Sequence, residues 1–250
     1  MSNKVFGIDL GTGMSAIAII EGGKAQVIAN KEGSRTTPSV VYIGKDKDGK
    51  EDRKIGASAK RGIIMNPKNT ISFVKRFMGS EWNDKDVQKM LTMVTYDVVN
   101  KNNKPYIKID GKEYSAEEIS SFILTEMASI ASDYYGEEVK DCVITVPAWF
   151  NDIQRKATKL AGELAGLNVL RIINEPTAAI LAAGMDKDSK ERLVLVSDTG
   201  AGTHDVSICE VSEGMVEVLA SDGDVFLGGQ NYDNEIVNWL AEEFMKDHSG

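Results

Sequence analysis

The chain carries the same acid-and-glycine turn twice. The segment GIDLGTGMSAIAI (7–19) ends an apolar run on Asp9, passes through Gly11 and Gly13, and begins a second apolar run. The segment VSDTGAGTHDVSI (196–208) does the same with Asp198, Gly200 and Gly202. With Asp9 set on Asp198, Gly11 falls on Gly200, Gly13 on Gly202, Ile17 on Val206, Ile19 on Ile208 and Glu21 on Glu210. After a two-residue adjustment Ala29 falls on Ala220. Alternating β-branched runs broken by glycine turns read as strands. The pattern predicts strands at 5–10, 16–20 and 25–29, and again at 193–198, 204–210 and 215–221. One such turn is an ordinary hairpin. Two in register predict a duplicated three-strand unit.

Between the copies the signals are helical. Ser115 and Glu118 form a capping box before a periodic apolar run that reaches about 135, with Gly136 as its stop. A short strand at 141–146 ends at Pro147. Asn151 caps a helix to about 165, stopped by Gly166, and a strand follows at 168–173. Pro176 opens a last helix that Gly184 closes. The charged stretch 185–192 reads as the crossover between two lobes. The division expected is a first lobe over 1–188, a smaller subdomain inserted at about 40–114, and the start of a second lobe over 189–250.

Bulk properties exclude several classes. The net charge of −9 argues against a nucleic-acid or acidic-membrane surface, though not against one small polyanion. The two cysteines, Cys142 and Cys209, lie in apolar runs and read as buried thiols of a reducing compartment. Only His204 and His248 are present, so a histidine-rich metal site is out. The first residues do not read as a signal peptide, and no apolar run approaches the ~18 residues of a membrane span. A cytoplasmic address is expected.

Backbone N–H groups in a tight glycine turn form a concave anion site, and glycine lets the chain approach a phosphate without a Cβ in the way. A carboxylate beside such a turn repels phosphate unless a cation intervenes. Two acid–glycine turns facing each other therefore predict Mg²⁺ between them and a nucleotide triphosphate held by both loops, with Thr12 and Thr203 adding hydroxyl donors. No G-K-[ST] follows either turn, so this is not a Walker A loop.

Six segments together resemble the ATPase domain of heat-shock protein 70 (DnaK-type) chaperones. They are GIDLGT, EGSRTTPSVV, AKRGIIMNPKNTISFVKRFMG, VITVPAWFNDIQRKATKLAGELAGLNVLRIINEPTAA, GAGTHD and LGGQNYD. The resemblance covers essentially the whole chain in order. It implies an α/β, actin-like ATPase fold of duplicated ribonuclease H-like lobes, with ATP or ADP and Mg²⁺ as ligands. Asp9 and Asp198 match acids that hold Mg²⁺ through water. Gly11, Thr12 and Gly13 match the first phosphate loop; Gly200, Ala201, Gly202 and Thr203 match the second. Lys75 matches a lysine on the γ-phosphate and attacking water, and Glu175 a carboxylate near the metal's waters. Pro147 and Arg155 match a pair that relays nucleotide state. Family partners are unfolded peptides, a J-domain co-chaperone and a nucleotide exchange factor.

The sequence departs from that pattern around the phosphate site. The family usually has threonine at Gly13, Asn or Tyr at Met14, glycine at Ala201, leucine at Thr199, an aromatic at Ser197, phenylalanine at His204, acids at Gln230 and Asn231, and tyrosine at Trp149. If Ala201 needs a left-handed backbone, alanine costs roughly 1–2 kcal/mol there. The chain ends inside what the family would make a second-lobe helix, so an incomplete second lobe and weak or absent hydrolysis are expected. A divergent homologue that only binds nucleotide or a partner is the alternative. A sugar kinase on the same fold would need an Asp base in a sugar-site loop, and none stands out.

Overall fold

A computed structural model describes residues 4–187, 190–212 and 214–248. The chain opens with β1 (Val5–Asp9), β2 (Met14–Glu21), β3 (Lys24–Val27) and the two-residue β4 (Thr37–Pro38). The inserted stretch contributes β5 (Val41–Lys45), β6 (Glu51–Ile55), α1 (Ala57–Arg61), β7 (Thr70–Ile71), α2 (Lys85–Leu91), β8 (Asp97–Lys101), β9 (Lys104–Ile109) and β10 (Lys112–Tyr114). Then come α3 (Ala116–Tyr135), β11 (Asp141–Val146), α4 (Asp152–Leu164), β12 (Asn168–Asn174) and α5 (Glu175–Ala182). The last elements are β13 (Arg192–Thr199), β14 (His204–Ser212), β15 (Met215–Asp224) and α6 (Gly229–His248).

The main sheet has the order β12-β11-β1-β2-β3, with β4 on β2. β12, β11 and β1 run parallel, and β2 and β3 return antiparallel. Alternate residues Phe6, Ile8, Ile17, Ile19, Cys142 and Ile144 are buried, as a half-covered sheet demands. α3 covers it through Ile119, Ile123, Leu124, Met127 and Ile130, spaced at helical period. α4 instead presents Ala157, Thr158, Ala161 and Gly162, small residues that allow close approach. A Cβ on Gly162 would overlap the Val169 side chain and lie 3.2 Å from Ile144 Cδ1.

Both helix starts carry the capping boxes read from sequence. Ser115 Oγ accepts from Glu118 N at 3.2 Å while Glu118 Oε2 accepts from Ser115 N at 2.7 Å. Asn151 and Gln154 exchange the equivalent bonds at 3.0 and 3.1 Å. Gly136 closes α3 in the left-handed region, at φ 70°.

The duplication is visible in the hairpin registers. Phe6 faces Ile19 and Asp9 faces Ala16; Leu195 faces Ile208 and Asp198 faces Asp205, the same pairs in the two copies. β13, β14 and β15 form a separate antiparallel meander in that order. The third strand corrects the sequence alignment. Ile19 pairs with Gln26 and Ile208 with Ala220, so Ala220 answers to Gln26; Ala29 lies beyond β3. Two differences cause this. The β14–β15 hairpin closes at Ser212–Met215, beyond the point equivalent to Glu21–Lys24, and a bulge at Leu219 of β15 shifts the register opposite Ile208 and Cys209.

Among the described residues the buried hydrophobics form two clusters of very different size. The large one joins the main sheet, α3 and α4 to the inserted stretch, whose Ile43, Met90, Ile107 and Ile109 are buried in the same mass as Phe6 and Ile8. The small one has Ile180 of α5 against Cys209 and Val211, with Val194, Val196, Val216 and Val218 at its edge. The other face of that sheet shows Leu193 and Leu195, 68% and 65% exposed. α6 buries none of its residues. No helix among the described residues is long and apolar enough to cross a membrane.

Candidate nucleotide site

The β1–β2 and β13–β14 turns face each other across a cleft of about 180 Å³. It is lined by Asp9, Gly11, Thr12, Gly13, Lys75, Glu175, Asp198, Gly200, Ala201, Gly202 and Thr203, with Met14, Ser15, Ala16 and Thr36. Segments far apart in the chain thus meet at one point. Larger hollows of about 430, 420 and 400 Å³ also occur, the last of them touching Lys75; none of these is lined by the paired acids or the glycine turns. Ligands fit polar groups that converge on one point, so chemistry outweighs size here.

Gly11, Gly13 and Gly202 are needed for space, not for backbone freedom; a Cβ on Gly200 would meet nothing nearer than 3.7 Å. None of Gly11, Gly13, Gly200 and Gly202 has positive φ. A Cβ on Gly11 would overlap the Met14 carbonyl oxygen, and one on Gly202 would lie 3.0 Å from Arg76 Nη2 and 3.1 Å from Thr12 Cγ2. Ala201 is likewise outside the positive-φ residues, so the strain considered for it does not arise. Its methyl matters differently: a Cβ on Gly13 would come 2.5 Å from Ala201 Cβ. The second loop is braced from behind, since Gly229 N donates to Gly200 O at 3.0 Å and Gln230 N to Ala201 O at 2.9 Å.

Lys75 sits in the short turn Val74–Phe77, introduced by Phe73 in a left-handed conformation at φ 57°. Such a φ on a bulky residue is held only by surrounding structure. The Lys75 and Glu175 side chains are 8% and 15% exposed, with Nζ 2.9 Å from Oε1. Glu175 is the first residue of α5. Burial raises its carboxyl above the ordinary range, Lys75 opposes this, and Asp9 and Asp198 add to it. Asp198 is pushed up as well, first by burial and then by Asp9 and Asp205, against Lys75 and His204. Asp9 accepts from Thr145 Oγ1 at 3.2 Å.

Pro147 and Arg155 do not line the cleft. They stand behind it. Arg155 donates from Nε to Phe150 O at 2.9 Å and from Nη2 to Ala148 O at 3.2 Å and Asn174 Oδ1 at 2.7 Å. Asn174 precedes Glu175, so Arg155 joins the 147–150 turn to the start of α5.

Two residues that sequence reasoning passed over belong to the surroundings. Asp205 is buried opposite Asp198 and accepts from Trp149 Nε1 at 2.8 Å. Its counterpart in the first copy is Ala16, so the repeat hides it. An acid inside a strand was the available signal, because strands are depleted in Asp. Arg76 donates from Nη2 to the Gly202 carbonyl, and its guanidinium lies 4.6 Å from the Phe226 ring centroid. In sequence it is one more basic residue beside Lys75.

The acids suit a hydrated Mg²⁺. Among the described residues no three His, Cys, Asp or Glu groups are close enough to hold a metal directly. Mg²⁺ keeps several waters and shares its shell with phosphate oxygens. Carboxyls that burial and mutual repulsion push up are the groups a cation relieves.

A duplicated strand hairpin, helices on the main sheet and a cleft between paired acid–glycine turns are the features of the actin-like ATPase fold. Within that class the Hsp70 protein family model matches residues 5–249, and the chain belongs to the Hsp70 family. Membership makes this a chaperone ATPase domain, of a family that binds ATP or ADP, generally with Mg²⁺.

Proposed function

We propose that the chain is the ATP-binding and ATP-hydrolysing portion of a DnaK-type chaperone acting in protein folding, with a first lobe over 1–188, an insertion at about 40–114 and a second lobe from 189. The observation that carries this is the convergence of both acid–glycine turns on the buried Lys75–Glu175 pair. Backbone N–H groups of Gly11–Gly13 and Ala201–Thr203, with the Thr12 and Thr203 hydroxyls, donate to phosphate oxygens, while the Gly200 N–H closes the second turn on Thr203 O at 2.9 Å. Asp9, Asp198 and Glu175 hold the water shell of the metal. When bound, Mg²⁺ supplies neutralisation of phosphate charge. Lys75, held by Glu175, presents a fixed positive charge to the γ-phosphoryl oxygens and the attacking water, where charge develops in the transition state. Pro147 and Arg155 carry the state of this cleft outward through Asn174. Unfolded peptides, a J-domain co-chaperone and an exchange factor are the partners, in the cytoplasm and in stress response.

A second reading, nucleotide binding with little turnover, is favoured by the Ala201 methyl lying over Gly13 in a small cleft. Steady-state hydrolysis and calorimetric titration with ATP, with and without Mg²⁺, separate the two. Turnover abolished in Lys75→Ala supports the ATPase. Mg²⁺-dependent binding with no turnover supports the binder, and no binding at all rejects both.

A further inference from the structure

We propose that Gly13 and Ala201 act as one steric unit that sets the spacing of the two phosphate loops, and so how closely the cleft can grip a polyphosphate. This rests on the nucleotide reading above. The two residues belong to the equivalent turns of the duplicated unit and meet across the cleft. A Cβ built on Gly13 lies 2.5 Å from Ala201 Cβ, 3.8 Å from Ala201 Cα and 3.9 Å from Phe73 Cε1. Carbon atoms at optimal contact stand ~3.5–4.0 Å apart, so a side chain at 13 forces the loops to part by about 1 Å.

Neither loop can yield cheaply. The first is tight at Gly11, where a Cβ would overlap the Met14 carbonyl oxygen, and is held by the bond from Ser39 N to Gly13 O at 2.9 Å. Ser39 Oγ also donates to Gly11 O at 2.8 Å. The second is bonded from behind by Gly229 and Gln230 and from the side by Arg76. Gly228 fits there because a Cβ would lie 2.6 Å from Gly202 N and 2.7 Å from the Ala201 carbonyl carbon. The methyl of Ala201 is thus fixed in place, and Gly13 is the only residue type that leaves it room. Chemically, one methyl group is shared between the loops. It can be carried at 201 or at 13, but not at both.

The test is a cycle of Gly13→Ala, Ala201→Gly and the double variant. One arm reads the thermal midpoint without ligand; the other reads the Kd of Mg·ATP by calorimetry. Overpacking between two braced loops destabilises the fold, so Gly13→Ala is expected to lower the midpoint by about 2 °C or more. Parting the loops by about 1 Å takes the donors of one loop out of hydrogen-bond reach of a phosphate held by the other, and loss of one such bond to a charged group is expected to weaken Mg·ATP about tenfold or more in Gly13→Ala. The double variant is expected to recover both. Should Gly13→Ala not fold, recovery of a folded double variant makes the same point. A double variant no better than Gly13→Ala overturns the proposal. If the parent chain binds no Mg·ATP, the nucleotide reading fails, while the midpoint arm still decides whether the two residues form one unit.

Discussion

Lys75 and Glu175 stand 100 positions apart in the chain and form an ion pair almost out of water. Removing one partner of a buried pair leaves the other charge uncompensated. Lys75→Ala is therefore expected to destabilise the unliganded protein by about 3 kcal/mol at neutral pH. The penalty has a sign in pH. Without Lys75 the Glu175 carboxyl moves further up, so acidification neutralises it and the gap to the parent closes. Chemical denaturation at neutral pH and in mild acid checks this; a gap that widens in acid would contradict it. Asp198 gives the complementary case. A carboxyl held above its unfolded value takes up its proton more readily in the fold, so its contribution falls as pH rises through that raised value. Asp198→Asn should thus raise the unliganded midpoint at neutral pH, with no gain in acid, and weaken Mg²⁺-dependent nucleotide binding. At this scale Asp9, Asp198 and the glycines were legible because chemistry and spacing repeat in the sequence. Lys75 and Glu175 were reachable only through resemblance, since no local pattern marks a lysine as buried. Asp205 and Arg76 escaped because their partners, Trp149 and Gly202, are distant in the chain.

At the scale of elements, α3 and α4 could be bounded from sequence because each carries its own start signal and a glycine near its end. The register of β15 could not, because a bulge and a longer hairpin leave no local mark on an alternating sequence. The inserted stretch showed only its polar turns. Its two three-stranded sheets draw their burial from the large cluster, a property of tertiary contact. α4 lies close to the sheet because Gly162 has no side chain. Gly162→Val is expected to cost roughly 1–3 kcal/mol by overpacking against Val169 and Ile144, measurable as a lower denaturation midpoint. α6 is the opposite case, a helix with exposed Ile236, Trp239, Leu240 and Phe244 and no buried residue. Helices owe most of their stability to packing. Its amides are expected to exchange with solvent faster than those of α3, and equal protection would mean that α6 is covered in solution.

Over the whole molecule, the second meander holds only a small buried cluster and leans on the first body. Small cores bury too little apolar surface to stand alone. Besides Ile180 of α5, which packs on Cys209 and Val211, three contacts tie it to the first body beside the cleft: Trp149 to Asp205, Arg76 to the Gly202 carbonyl, and Phe226, which packs on the large cluster beneath the Arg76 and Lys89 charges. These three flank the phosphate loops, so part of what holds the two bodies together also holds the site in shape. Trp149→Phe leaves the buried Asp205 without its donor, at about 1–3 kcal/mol. Arg76→Ala removes the second tie and one charge over Phe226. In the double variant, β13, β14 and β15 are expected to open separately, with hydrogen exchange rising there while β1, β11 and α3 stay protected. Uniform loss of protection would mean that the two bodies unfold as one unit, coupled by the packing of Ile180 on the meander and not by these ties.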